Sequence, residues 1–289
     1  MAHANQERYA AMVDAKLRAT LVTKDNLIFN NRYEGNPTAG KVKIPVRDTE
    51  VTVSDYNKAT GIEASGGTTT YMDLAIDQDK AVNEIIDGFD AASVPDGITA
   101  ERLDSAGYAI ALEMDKKSIS ILESASGATI SASKTASTAE TAYKELLAAK
   151  RVLSRKGVPK KDRWAICSPE FLEVLALDDH FKNGGNLSEK LLQDGVIAKV
   201  AGFYIFESSN MYFENTTVTS GKKTTTELIC GHPNWCHRVQ EWQVAPHIQD
   251  LSGSGKYIGA SAVQGRKIYG LKVSKGQTIY IKRVEVSAT

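Results

Sequence analysis

Residues 40–90 read as a long two-stranded β excursion, more than a compact domain needs for its own core. Val42, Ile44 and Val46 alternate with polar or special residues, as do Val51 and Val53. Met72, Leu74 and Ile76 then alternate with Tyr71, Asp73 and Asp77, the period-2 pattern of half-buried strands. Between them, residues 57–70 hold Thr60-Gly61 and Ser65-Gly66-Gly67, polar and flexible chemistry suited to a projecting tip. A lone hairpin is barely stable in water, so its apolar face must lie on something. An arm this long is more naturally completed by a neighbouring subunit, although folding back on its own domain satisfies the same alternation.

Composition removes several classes of function. A chain of 289 residues suggests about two lobes at ~100–200 residues each. Hydrophobic residues at 42% allow a sizeable core. Thirty-five basic residues balance thirty-five acidic ones, so no global field attracts nucleic acid or an anionic membrane, and any nucleic-acid contact must be local and weak. No apolar run reaches the ~18 residues of a membrane span, and the polar start does not resemble a signal peptide. The expectation is a soluble protein made in a cytoplasm. Cys167, Cys230 and Cys236 are too few, and odd in number, for a secreted disulfide framework.

Residues 4–22 place Tyr9, Met12, Val13, Leu17 and Leu21 at helical spacing, predicting an amphipathic N-terminal helix. Asn30-Asn31 and Gly35-Asn36-Pro37 break it before the β arm. After the turn at 94–97, Thr99 is placed to cap the longest helix, running to about residue 123 with Leu103, Ala106, Ile110, Met114, Ile121 and Leu122 as core contacts. Ser137 and Glu140 have capping-box spacing for a second helix ending at Gly157. Lys150, Arg151, Arg155 and Lys156 gather near its negative end.

From residue 163 the texture changes to short elements. Residues 164–167 read as a buried strand, and Ser168-Pro169-Glu170 as the start of a short helix over 171–177. A further helical stretch is expected near 187–192, a strand at 200–206, a surface loop at 216–226, and strands at 228–230 and 236–244. Residues 267–273 and 277–286 alternate across Ser274-Lys275-Gly276, predicting a closing hairpin.

Signals for catalysis are weak. His232, Cys236 and His237 lie close in sequence, but no second cluster supplies the rest of a tetrahedral metal site. Cys167 falls at a predicted strand end, where a small buried thiol is the commoner role. Neither Ser208-Ser209 nor Gly253-Ser254-Gly255 has the context of a nucleophile elbow, and no phosphate-binding loop is present. Asp178-Asp179 and Asp77/Asp79 read as solvated surface rather than an acid–base pair. The expectation is no catalytic residue, no metal and no cofactor, with a metal-dependent enzyme using His232, Cys236 and His237 as the rival of a different class.

Several segments stand in a fixed order along the chain: G-K-V-K-I-P at 40–45, V-T-V-S-D-Y at 51–56, M-D-L-A-I-D at 72–77 and V-P-K-K-D-R-W-A-I-C-S-P-E-F at 158–171. A-G-F-Y-I-F-E-S-S-N at 201–210, G-H-P-N-W-C-H at 231–237 and K-I-Y-G-L-K-V at 267–273 continue the series. Taken in order, these segments resemble the major capsid proteins of tailed bacteriophages, with the Hong Kong 97-type fold. The resemblance implies an α+β fold: an N-terminal arm at 1–36, an extended β-hairpin E-loop at 37–90, a P-domain at 91–160 with a long spine helix, an A-domain at 161–263, and a C-terminal hairpin at 264–289 returning to the P-domain.

It also implies self-assembly through hexamers and pentamers into an icosahedral virion shell, formed in the host bacterial cytoplasm. The partners would be other copies of the chain, a separate scaffolding protein, a portal, decoration proteins, and packaged double-stranded DNA held by weak non-specific contact, with no membrane. The scaffold is expected because the chain begins directly at the arm. The intersubunit contact candidates are Val42, Ile44, Val51, Val53, Tyr56, Met72, Leu74, Ile76, Tyr9 and Leu17. Lys41, Lys43 and Lys58 lie in the proposed E-loop, but nothing identifies an asparagine for a covalent cross-link. An encapsulin-like nanocompartment, with the same fold around a protein cargo, is the nearest alternative.

Overall fold

The structure, a computed structural model, describes residues 18–24, 26–32, 40–46, 50–51, 53–62, 66, 69–89, 98–177, 199–211 and 222–287. The expected N-terminal helix, for the most part, and the helical stretch near 187–192 lie outside them.

Two sheets and one long helix organise the chain. The larger sheet has the order β4-β11-β8-β5-β7-β6, with β4 Thr129–Ile130, β5 Arg163–Cys167, β6 Lys199–Val200, β7 Phe203–Glu207, β8 Lys222–Gly231 and β11 Tyr280–Ser287. β5 is a central strand buried on both faces, with β7 parallel on one side and β8 antiparallel on the other. Its side chains alternate between two cores, as the pleat requires. Ala165 and Cys167 join Leu146, Leu153, Phe171 and Leu175 beneath helices α2 (Ala142–Arg155) and α3 (Pro169–Leu177). Trp164 and Ile166 face Ile28, Phe29, Ile119 and Leu122.

The smaller sheet has the order β3-β10-β9, antiparallel throughout: β3 Gln78–Ile86, β9 Cys236–Asp250 and β10 Ser261–Val273. Helix α1, Ile98–Glu123, bridges the two sheets. Its N-terminal half packs Ala106 and Leu103 on Ile86 and Val263 of the smaller sheet, and Ile119 and Leu122 reach the larger one. The third β unit is the two-stranded β1 (Lys41–Val46) and β2 (Thr70–Ala75), paired from Lys41↔Ala75 to Val46↔Thr70.

Local chemistry explains the helix boundaries. Ser168 Oγ accepts from the Phe171 amide at 3.2 Å, with Pro169 as first helical residue, as expected for α3. α2 ends as expected at Gly157, whose φ of +72° suits glycine. There the Gly157 amide donates to the Ser154 carbonyl at 3.2 Å and the Val158 amide to the Leu153 carbonyl at 3.0 Å, a Schellman arrangement. The start of α2 differs from the capping-box expectation. Thr141 is the first flanking residue, and Ser137 instead donates its hydroxyl (2.8 Å) and amide to the buried Glu227 carboxylate.

Three strand expectations are corrected. Residues 200–206 are not one strand: β6 and β7 form a tight antiparallel pair through Ala201 and Gly202, whose φ values of +52° and +95° make a two-residue hairpin turn. Thr224, Thr225 and Thr226, expected in a surface loop, are in β8, because β11 supplies a pairing partner the local pattern could not reveal. The closing hairpin does not form. β10 pairs with β3 and β9, whereas β11 crosses to the larger sheet and pairs with β4 and β8. The turn at 274–278 therefore joins two sheets, and segments assigned to different domains by resemblance share them.

Candidate assembly surface

The β arm has two parts with opposite environments. At its base, Ile44 and Leu74, 2% and 0% exposed, pack with Val239 of β9 and are flanked by Val42, Met72 and Ile76. Lys272 donates to the Asp73 carbonyl at 2.7 Å, and Lys41 pairs with the Asp73 carboxylate at 2.9 Å, holding that carboxyl below the usual range. Gly270 of β10 is where the backbone passes: a Cβ there would lie 2.2 Å from the Ala75 carbonyl oxygen. The base is thus docked on the chain's own sheet.

This corrects part of the contact expectation. Ile44 and Leu74 have no surface left for a neighbour, whereas Val42, Met72 and Ile76 pack against the same cluster and stay partly exposed. Val51 and Val53, expected in a strand, pair with no strand among the described residues and are 87% and 93% exposed. Tyr56 is 73% exposed. Near it, Asn57 Oδ1 accepts from the Ala59 amide at 2.9 Å and the Gly61 amide donates to the Asn57 carbonyl at 2.8 Å, so this part of the arm closes its own turn. Tyr9 and Leu17 lie outside the described residues. Tyr71 and Ile62 are further exposed apolar side chains on the arm that pattern reading passed over. Tyr71 stands on the face of β2 opposite Leu74, and a large aromatic on a nominally polar face was the available signal.

Residues 23–24 and 26–31 are held by buried charges that sequence reading did not single out. Asp115 of α1, 1% exposed, accepts from the Thr23 amide and hydroxyl, both at 2.8 Å, and from Asn210 Nδ2 at 2.8 Å. Arg238 of β9, also 1% exposed, donates to the Thr23 carbonyl, to the Lys24 carbonyl at 3.2 Å, and to Asn26 and Asn31 side chains at 3.0 and 3.2 Å. Asn30 adds a one-residue parallel bridge to β9, its amide donating to the Cys236 carbonyl at 2.8 Å and its carbonyl accepting from the Arg238 amide at 2.9 Å. A buried Arg can satisfy several carbonyls at once because its donors form a rigid fork.

The histidine and cysteine cluster is occupied by the fold itself. His232 Nδ1 accepts from the Asn234 amide at 3.1 Å, while Nε2 lies 3.0 Å from the Lys161 carbonyl. His237 bonds Asn30 Oδ1 and Ser274 Oγ, each at 3.1 Å, and burial lowers its pKa to about 4. Cys236 lies in the apolar cluster with Ile28 and Phe29, and burial pushes its thiol up. These rings and this thiol have separate partners, and among the described residues no group of three or more such side chains converges on a metal position.

One buried carboxylate stands apart. Glu123, at the C-terminal end of α1, is 2% exposed, and burial raises its pKa to about 7 against the opposing influence of Thr226 and Arg283. Arg283 spends a donor on the Glu123 carbonyl oxygen, at 2.6 Å.

No protein-family model and no curated protein matches the chain. Solved structures do. One from Mycobacterium phage Che8 shares 22% identity at a TM-score of 0.71, covering 96% of both chains. The capsid structure of the cyanophage P-SCSP1u shares 16% identity at a TM-score of 0.76, covering 96% of this chain and 92% of its own. The mature capsid of bacteriophage PhiM1 shares 14% identity at a TM-score of 0.69, with 97% and 92% covered. The likeness is one of fold: this chain has the mixed helix-and-sheet fold of phage capsid structures.

Proposed function

We propose that the chain is the major capsid protein of a tailed bacteriophage, assembling through hexamers and pentamers into an icosahedral shell around double-stranded DNA. The observation that carries this is the fold likeness to phage capsids across nearly the whole of both chains, at TM-scores near 0.7. Because those neighbours are phage capsids, a genome shell is favoured over a protein-cargo compartment. The role is mechanical and not catalytic.

In this reading the β1–β2 arm is the E-loop and α1 the spine helix. The smaller sheet with α1 forms the P-domain, and the larger sheet with α2 and α3 the A-domain, nearer the ring axis. The docked base sets the direction of the arm, and Val51, Val53, Tyr56 and Tyr71 supply the apolar contact to the next subunit. Identical surfaces meeting heterologously close into rings when the rotation closes. Residues 1–36 form the N-terminal arm, with Tyr9 and Leu17 kept as candidate contacts to a neighbouring subunit. Assembly in the host cytoplasm with a scaffolding protein, a portal and decoration proteins completes the proposal. Expression with and without the neighbouring genes, followed by sedimentation and electron microscopy, tests it: closed shells support it, and a permanent monomer overturns it.

A further inference from the structure

The end of α2 and the turn after it carry Lys150, Arg151, Arg155, Lys156, Lys160 and Lys161, all exposed, with Asp162 the one acid among them. The fold brings these cations together through a buried strut. Arg163, 2% exposed, donates to the Pro159 carbonyl at 2.7 Å and the Val158 carbonyl at 2.6 Å on one side, and to Ser154 Oγ at 3.2 Å on the other. Its remaining contact, 3.4 Å from the Lys150 carbonyl, reaches a turn further back. The 157–162 turn is thereby folded against the last turns of α2, and His232 holds it from below through the Lys161 carbonyl.

Complementing the helix dipole accounts for cations in the last turn, Arg155 and Lys156. It does not account for Lys150, Arg151, Lys160 or Lys161, and no ion pair to a described acid engages any of the cluster. In a chain of zero net charge, this is a local concentration of unneutralised positive charge. No large apolar side chain is exposed among residues 150–162, so the patch lacks the anchor that a protein partner uses. Exposed cations without an apolar anchor suit the phosphate backbone, which needs charge and not shape.

From this we infer that the α2–β5 corner is the face of the subunit that meets the packaged double-stranded DNA. The inference rests on the shell reading and assigns one of its surfaces to the genome. Contact is sequence-independent and made by counterion release, each neutralised phosphate adding about 0.9 to the magnitude of the salt slope. Many weak contacts repeated over a shell hold DNA without fixing its path.

The test uses the unassembled full chain and a fluorescent duplex of arbitrary sequence, with anisotropy followed over a range of salt. The wild type is expected to bind with a log–log salt slope of about −3.6 to −4.5, the value for four to five phosphates. Replacing Lys150, Arg151, Lys160 and Lys161 by Gln is expected to weaken low-salt binding at least ~10-fold and bring the slope close to zero. The control pair Lys24→Gln with Lys116→Gln is expected to leave both unchanged. Absence of wild-type binding, or an unchanged slope in the quadruple variant, overturns the inference. So does tighter binding of polyglutamate than of duplex through the same lysines, which would assign the patch to an acidic protein. Shell formation is scored separately. A quadruple variant that binds DNA like wild type but no longer assembles makes the corner a subunit contact, overturning this inference and leaving the shell reading intact.

Discussion

Asp115 and Arg238 grip the same residue from two different elements: Asp115 on α1 accepts both the amide and the hydroxyl of Thr23, and Arg238 on β9 donates to its carbonyl. Thr23 is thus fixed at every polar atom, and the chain leaving it toward residue 18 has a set direction. Removing either leaves the buried groups it satisfies without a partner, which costs about 1–3 kcal/mol. Arg238→Met and Asp115→Leu are each expected to lower the stability of the unassembled subunit by that order in urea unfolding. Because both act on Thr23, the double variant should cost clearly less than the sum of the singles. Strict additivity would mean that the two groups do not work as one clamp.

Position 270 controls how the arm sits. Gly270→Ala puts a methyl 2.2 Å from the Ala75 carbonyl oxygen, which is backbone and cannot swing aside. Leu74→Asp puts a charge into the cluster with Ile44 and Val239. Both are expected to lower the melting temperature of the unassembled subunit, by about 4 °C or more for each variant if the loss is ~2 kcal/mol. An unchanged melting curve for Leu74→Asp would mean that the base of the arm is not part of the subunit core.

The exposed part of the arm predicts the opposite behaviour. Val53→Asp and Tyr56→Ser remove apolar surface that the subunit itself does not bury. Thermal melting of the unassembled chain should stay within about 0.5 kcal/mol of wild type, as for surface substitutions generally. Shell yield by sedimentation should fall sharply. Variants that assemble normally would remove this surface from the contact.

The arm shows what the sequence could and could not say. Period-2 alternation located β1 and β2 correctly, and the Gly157 terminus was legible from capping chemistry; the long helix was legible from its spacing, although Thr99, expected as its cap, lies inside it as the second helical residue. Which surface the arm covers was not, because Ile44 and Leu74 look the same whether they pack on Val239 or on another chain. The same limit hid the path of β11: alternation predicts a strand, and its partner, β8, is set some fifty residues away by packing. Arg238 and Asp115 were missed for a related reason. A buried charge is recognised by the carbonyls and amides around it, and those come from residues roughly a hundred to two hundred positions distant.

Two buried groups predict a cancelling pH response. Glu123 has its folded pKa raised to about 7 from 4.5, so its contribution to stability is full below about 4.5 and is lost as pH rises through 7. His237 has its folded pKa lowered to about 4 from 6.5, so its contribution is present above about 6.5 and is lost as pH falls through 4. Each is worth about 3 kcal/mol, with opposite sign across the shared window. Glu123→Gln is expected to make stability rise with pH between about 4.5 and 6.5, and His237→Asn to make it fall. Urea unfolding at a series of pH values checks both slopes, and the same sign in the two variants would contradict the assignment.

The most direct test of the shell is electron microscopy of the wild-type chain after expression with its neighbouring genes, paired with sedimentation of the same sample. Closed icosahedral particles built of hexamers and pentamers, with Val51, Val53 and Tyr56 covered by an adjacent subunit, are the predicted result. A chain that sediments as a monomer at every concentration, with its scaffold present, would contradict the account.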